Sequence, residues 1–417
     1  METTTSARNG PFLLTRRRFL GAGAACLTSA YALGAETRTS AAGPGFRPAA
    51  SLTSLGKAYL FLGSMMDLYA KGSTLRLAQS YVPTPALDLG DTGFIYDNAL
   101  TLTAFLQRGQ ANDLTRALVL GNSLVYGQAR DPAGDGRIRN SYHTDPYILT
   151  DGAVNLADNG TFTGNMAWIG LALARLYQRT KTPSYLNAAL RIGTWIQNNT
   201  HDTRGAGGYT GGLDSDLAKL TWKSTEHNID VYALFTMLAS LTGNSAWTAR
   251  ARYASGFIAA MWNSGFFWTG TGTDGVTINS DFIPEDCQSW SYLALRDSAY
   301  ASSIDWASTN LAATDGQFSG VSFSNADTTG VWFEGTGHMA AALEARNAQG
   351  DRAKAAAYLH DIQVGQASAP NADGRGIDAA SKDYLNTGDG FYYFAALHIG
   401  ATSWYCIADQ SGNPFVL

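Results

Sequence analysis

Apolar residues recur along this 417-residue chain at helical spacing, in blocks separated by turn-rich stretches, and sustained apolar/polar alternation is scarce. The spacing predicts twelve helices, over 55–69, 94–107, 113–128, 164–178, 184–198, 225–241, 245–261, 284–295, 300–312, 335–348, 351–366 and 391–408. The even-numbered helices are rich in Ala, Gly, Leu and aromatic residues nearly all round, as expected of helices covered on every side. Their odd-numbered partners carry charges: Arg116, Arg191, Arg250, Arg252, Arg352 and Lys354. The pattern therefore predicts an all-α fold of six helical hairpins with an inner and an outer ring. No composition break divides residues 51–417, which read as one domain.

The long connections (71–93, 129–163, 200–224, 263–283, 314–332 and 367–388) all precede even-numbered helices, whereas the returns are short. Parallel inner helices would open all their N-termini on one face, together with the loops where function concentrates. At those helix starts an acid repeatedly stands beside rings. The fullest case runs from Trp222 through Glu226, His227 and Asn228 to Asp230; Trp222, Glu226 and Asp230 are spaced by four and would share a face where helical. Two carboxylates a turn apart raise each other's pKa, and burial beside rings adds to this, which favours a proton donor. The helix N-terminus acts in the opposite sense, by about 0.3–1 kcal/mol. A purely structural reading is a cap built on Ser224 or Thr225. Asp97 beside Tyr96, Glu334 beside Trp332 and Phe333, and Asp286 after Glu285 and Pro284 repeat the pattern. Asp389, between Gly388 and Gly390, fits a turn better than a helix start.

Composition narrows the partner. The chain is 45% hydrophobic and 15% charged, with 45 Gly and 12% aromatic residues, which permits a large core and excludes a disordered protein. Thr15-Arg16-Arg17-Arg18-Phe19-Leu20 precedes a short, weakly apolar run, so residues 1–35 match a twin-arginine export signal and 36–50 a flexible leader. The apolar run is shorter than the roughly 20 residues a membrane span requires. Removal of the signal takes away four basic residues and one acid and moves the net charge from -5 to -8. An acidic, exported protein without a Lys/Arg cluster is not expected to bind nucleic acid or, once mature, a membrane. Cys287 and Cys406 are expected to be free thiols. The acidic stretch from Asp131 to Asp135 reads as a solvated turn rather than a calcium loop. Six scattered His give no metal-ligand spacing, so no metal or cofactor is expected, and His338 and His398 read as hydrogen-bonded core residues.

Alternating helices with acid-aromatic inner starts on an exported chain resemble the six-hairpin, (α/α)6-toroid carbohydrate-active enzymes, over residues 55–417. The resemblance implies a glycan cleft over the inner-helix starts. Glu226 would be the acid, with a base from Asp97, Asp286 or Glu334 at the separation of about 6.5–9.5 Å that inversion requires. Tyr96, Trp168, Trp222, Trp290 and Trp332 would stack on sugar rings, with His227 and Asp230 beside them. The function implied is an exported glycoside hydrolase, monomeric, acting on a neutral glucan-like substrate. A polysaccharide lyase using His227, Asn228 and a Tyr is the alternative, with only Lys223 available to neutralise a uronate. A non-catalytic glycan-binding protein is a third reading, and a sugar epimerase is disfavoured because such enzymes generally work on intracellular sugars.

Overall fold

A computed structural model describes residues 52–417. The twin-arginine segment and the leader, residues 1–50, lie outside the described residues. Twelve α-helices are found among the described residues: α1 (Ser54–Met66), α2 (Ile95–Arg108), α3 (Ala111–Ala129), α4 (Thr163–Thr180), α5 (Pro183–Thr200), α6 (Thr225–Thr242), α7 (Ser245–Ala260), α8 (Asp286–Leu295), α9 (Ser302–Asn310), α10 (Phe333–Arg346), α11 (Asp351–Ser368) and α12 (Ile399–Asp409). The even-numbered helices pack in a closed ring: α2 on α4, then α6, α8, α10 and α12, which returns to α2. Each odd-numbered helix covers the ring from outside, as α3 covers α2 and α7 covers α6. The fold is a single (α/α)6 toroid.

Why the hairpins turn so sharply is visible at the inner C-termini. Helices α2, α4, α6, α8 and α10 each end on a left-handed residue, Gly109, Lys181, Gly243, Arg296 and Asn347, whose N–H returns to a carbonyl of the last turn. That cap satisfies the last carbonyls and redirects the chain at once. The far ends are built differently. Strands of two to four residues fill the long connections. The residues just before each inner helix pair with the long connection of the next hairpin round the ring: Gly93 with Tyr142, Phe162 with Gly212, Ser224 with Gly270, Pro284 with Ser324, Trp332 with Ala380 and His398 with Tyr81. Six bridges thus fix the six helix starts.

The last helix departs from expectation. Helix α12 begins at Ile399, not near residue 391. Tyr392–Tyr393 instead pairs with Leu385–Asn386 in a hairpin, and Leu397–His398 pairs with Ile377–Asp378. Phe391-Tyr392-Tyr393-Phe394 is a run of strand-favouring rings that apolarity alone does not separate from a helix. Asp389 therefore belongs to the hairpin turn, as its flanking glycines suggested, and the polar residue at the α12 start is His398. Cys287 and Cys406 are buried and free. In the acidic turn Asp131 pairs with Arg139 and Asp135 with Arg137.

Candidate active site

The four acids picked out by position all occupy first turns of inner helices: Asp97 of α2, Glu226 of α6, Asp286 of α8 and Glu334 of α10. Three of them, Glu226, Asp286 and Glu334, line a cleft of about 150 Å³ over the ring's open end, together with Tyr96, His227, Trp290 and Trp332. Asn140, Asn165, Thr387 and Tyr393, supplied by long connections or their edges, complete its polar and aromatic walls. A second, smaller lobe of about 100 Å³ adjoins it, bounded by Trp222, Phe282 and Pro284. Glu226, His227, Asp286, Phe323 and Asp389 face both lobes. Asp389, the weakest candidate by its turn-like setting, thus stands in the wall of both.

Other candidates lie beneath the cleft. Trp168 is not among the residues lining it. Its ring is 1% exposed and packs against Tyr96, Trp290, Trp404 and Phe415 at 5.1–6.0 Å, so it forms the floor of rings on which the site rests. Trp222 precedes α6 and is not helical; it packs with Phe162 and Leu220 and tilts against His227 at 5.4 Å, so the spacing by four places only Glu226 and Asp230 on one helix face. Ser224 caps α6 by accepting from the His227 N–H, so the capping role and the acidic position coexist. Asp230 is buried, with its carboxyl pushed well above the usual range by burial and by Glu226 and Asp286; the Trp168 indole opposes this. His227 is pulled down to about 4 by burial and is therefore neutral near pH 7. Gly164 of α4 makes room for this pair, since a Cβ there would lie 2.4 Å from the His227 ring and 2.9 Å from Asp230 Oδ2.

Asp286 is the unusual titrating group on the cleft wall. Burial, with the neighbouring Glu285 adding to it, pushes its carboxyl up to about 7, while His338 opposes the shift. Elsewhere in the lining, Tyr96 Oη donates to Glu334 Oε1 at 2.6 Å and accepts from Trp404 Nε1 at 3.0 Å. Beneath Glu334 lie two histidines. His398 Nε2 stands 3.1 Å from Asp97 Oδ2 and its Nδ1 3.4 Å from Glu334 Oε2, with the ring stacked on Tyr81 at 4.1 Å. Asp97 is not among the residues lining the cleft; His398 links it to Glu334, which is. His338 Nδ1 bonds Glu285 Oε2 at 2.9 Å, and its Nε2 is 3.8 Å from Glu334 Oε1.

His338 is consequently a buried cation. Burial alone would lower its pKa, but the hydrogen bond and charge of Glu285, with Glu334 adding, win and raise it from 6.5 to about 9. A raised pKa means the folded chain keeps a proton that the unfolded chain loses; the stabilisation is complete below about 6.5 and is lost as pH rises through about 9. Melting curves should show His338→Gln furthest below the parent near pH 6, with the gap narrowing by pH 10. A gap that does not change with pH would show that the charge of His338 contributes nothing.

Reading along the chain missed His398, because the α12 start was placed seven or eight residues too early and His398 then fell in mid-helix. It also missed the Glu285–His338 pair, since two residues on different hairpins carry no mutual spacing. None of the residues lining either lobe is Lys or Arg.

No protein-family model matches the sequence, and no curated protein matches it. Solved structures match the fold. A D-mannose isomerase is 13% identical over 88% of this chain and 98% of its own, with a TM-score of 0.63. A family 76 glycoside hydrolase, a mannosidase from Bacteroides thetaiotaomicron VPI-5482, is 12% identical over 86% of this chain and 98% of its own, with a TM-score of 0.58. An α-amylase from Clostridium perfringens is 10% identical over 88% and 99%, with a TM-score of 0.60. At such identities the shared property is the (α/α)6 toroid itself, spanning nearly the whole of each neighbour and most of this chain.

Proposed function

We propose that this protein is a carbohydrate-active enzyme, and specifically a glycoside hydrolase that cleaves a neutral, glucan-like oligo- or polysaccharide between Asp286 and Glu226. The reading rests on one arrangement: a buried acid, Asp286, whose carboxyl is pushed up to about 7 by burial and Glu285, and a second, more exposed acid, Glu226, both line a ring-lined cleft that carries no Lys or Arg. The roles differ from those the sequence suggested, with Asp286 as proton donor and Glu226 as base. A carboxyl that keeps its proton near neutral pH suits protonation of the departing oxygen. Asp286 gives its proton to the glycosidic oxygen as the C1–O bond breaks. Glu226 takes a proton from a water whose oxygen bonds C1 on the opposite face. Two hydroxyl-bearing sugars leave, and the two carboxyls exchange one proton with solvent to reset. Tyr96 of α2 and Glu334 of α10, which also line the cleft, are placed to hold sugar hydroxyls.

The neighbouring toroids described as glycoside hydrolases are compatible with this reading, and a lyase is disfavoured because a uronate would meet no cation on the cleft wall. Glu226→Gln should abolish release of reducing ends from a panel of neutral glycans while its melting temperature stays near that of the parent. Full turnover in that variant would overturn the assignment. Sugar isomerisation is the second reading, favoured by the neutral imidazole of His227 on the cleft wall and by the fold shared with a D-mannose isomerase. It predicts deuterium at C2 of mannose or glucose incubated with the enzyme in D2O, which hydrolysis does not.

Export through the twin-arginine route belongs to the same proposal. The paired change Arg16→Lys and Arg17→Lys should retain the precursor in the cytoplasm of a bacterial host with that pathway; unimpaired export would remove the reading.

A further inference from the structure

We propose that the smaller lobe is the subsite for the leaving group, a single sugar ring presenting an apolar face, so that the smallest good substrate is a two-ring unit bridging both lobes. This rests on the hydrolase reading above.

The argument starts from the partition. A proton donor must touch the oxygen that joins the two rings it separates, so each ring must lie on its own side of that donor. Asp286 and Glu226 stand where the lobes meet and face both. A cleft of about 150 Å³ takes on the order of ten waters, the scale of one hydroxylated ring; the lobe of about 100 Å³ is on the scale of one ring of that size or smaller.

The walls distinguish the two occupants. The larger lobe offers Asn140, Asn165, Thr387 and Glu334, a set able to recognise hydroxyls in fixed directions. Both lobes carry rings, and Phe323 faces both; the smaller adds Trp222, Phe282 and Pro284, with only Thr269 and Ser224 as neutral hydroxyl side chains, and Ser224 Oγ already accepts from the His227 N–H. Rings and a proline bind the C–H face of a sugar without specifying its hydroxyls. That suits the ring that departs, while the ring whose C1 is attacked is held by polar groups. The hairpin turn flanks this lobe, with Asp389 in its wall and Gly388 packed so closely on Phe282 that a Cβ would come within 2.8 Å of it.

Glycosyl fluorides separate the two lobes, because fluoride departs without a proton donor and without filling a second ring site. Phe282→Ala and Phe282→Leu would be assayed on α- and β-glucosyl and mannosyl fluorides and on the corresponding disaccharides. The Leu variant retains apolar volume if the Ala variant does not fold. The expected result is a 10- to 100-fold loss of kcat/KM on the disaccharide, with fluoride hydrolysis within about twofold of the parent. Equal losses on both, or none on either, would overturn the subsite while leaving the hydrolase reading in place. Failure of the parent enzyme to turn over any fluoride or disaccharide would overturn the hydrolase reading itself, and this subsite with it.

Discussion

Asp286→Asn is expected to lower kcat on a glycan with a sugar leaving group by about 10²- to 10⁴-fold, the range over which a positioned proton donor contributes. The loss should be far smaller on a glycosyl fluoride, whose leaving group needs no proton. The pH dependence has a defined sign. Asp286 is pushed up to about 7, and its protonated form is the one that works, so the parent's activity should fall as pH rises through about 7. Asn does not ionise in this range and cannot donate as an acid, and that limb of the profile should vanish in the variant. The same residue also links folding to pH. With its carboxyl near 3.8 in an unexceptional setting and about 7 in the fold, the native state keeps a proton across that interval, and its stability falls as pH rises through it. Asn should flatten that part of the stability profile. Loss of activity with an unchanged pH limb would assign the titration to another group.

Gly270→Ala should damage the site from outside it. Gly270 has φ +143° and pairs with Ser224, the N-cap of α6, two residues before Glu226. A Cβ at this position would lie 2.0 Å from the Lys223 carbonyl oxygen and 2.9 Å from its carbon. The obstacle is backbone, which has no rotamer with which to yield. Overpacking of about 1–3 kcal/mol adds to about 1–3 kcal/mol for a side chain in so sparsely populated a positive-φ region, so a destabilisation of about 3 kcal/mol is expected in denaturant titration. Activity should fall further than the folded fraction does, because the displaced strand carries the turn that aims Glu226. A variant with the parent's stability and turnover would mean that the bridge can shift without moving the helix start.

How much of this was legible depended on whether the signal was local. An apolar period with charges confined to alternate helices is a one-dimensional pattern, and it carries the two rings. An acid in the first turn beside a ring is also local, so Asp97, Glu226, Asp286 and Glu334 could all be found from their neighbours. What distinguishes them from each other could not. The pKa of Asp286 depends on burial, on Glu285 and on His338, which arrives from the next hairpin. Trp168 and Trp290 look alike as rings on apolar helices, and both pack on Trp404 and Phe415, yet Trp168 stays in the floor while Trp290 lines the cleft, a difference no local spacing carries. The α12 start was misread because Phe391 to Phe394 are as apolar as a helix but paired as a strand. His398, the residue actually at that start, was hidden by the same error.

The six bridges that hold the helix starts form a loop without a seam. The connection carrying Tyr81, from the first hairpin, clasps His398 of the last just as every other connection clasps its neighbour. Sequence order is therefore immaterial to closure of the site. New ends opened at Gly243 and Asn244, between α6 and α7, with the present ends joined, would leave each bridge intact, and α1 already packs on α12. Deleting any one hairpin would leave a helix start unclasped however well the remaining helices form. The molecule is therefore expected to withstand being cut open at a return far better than being shortened by a hairpin.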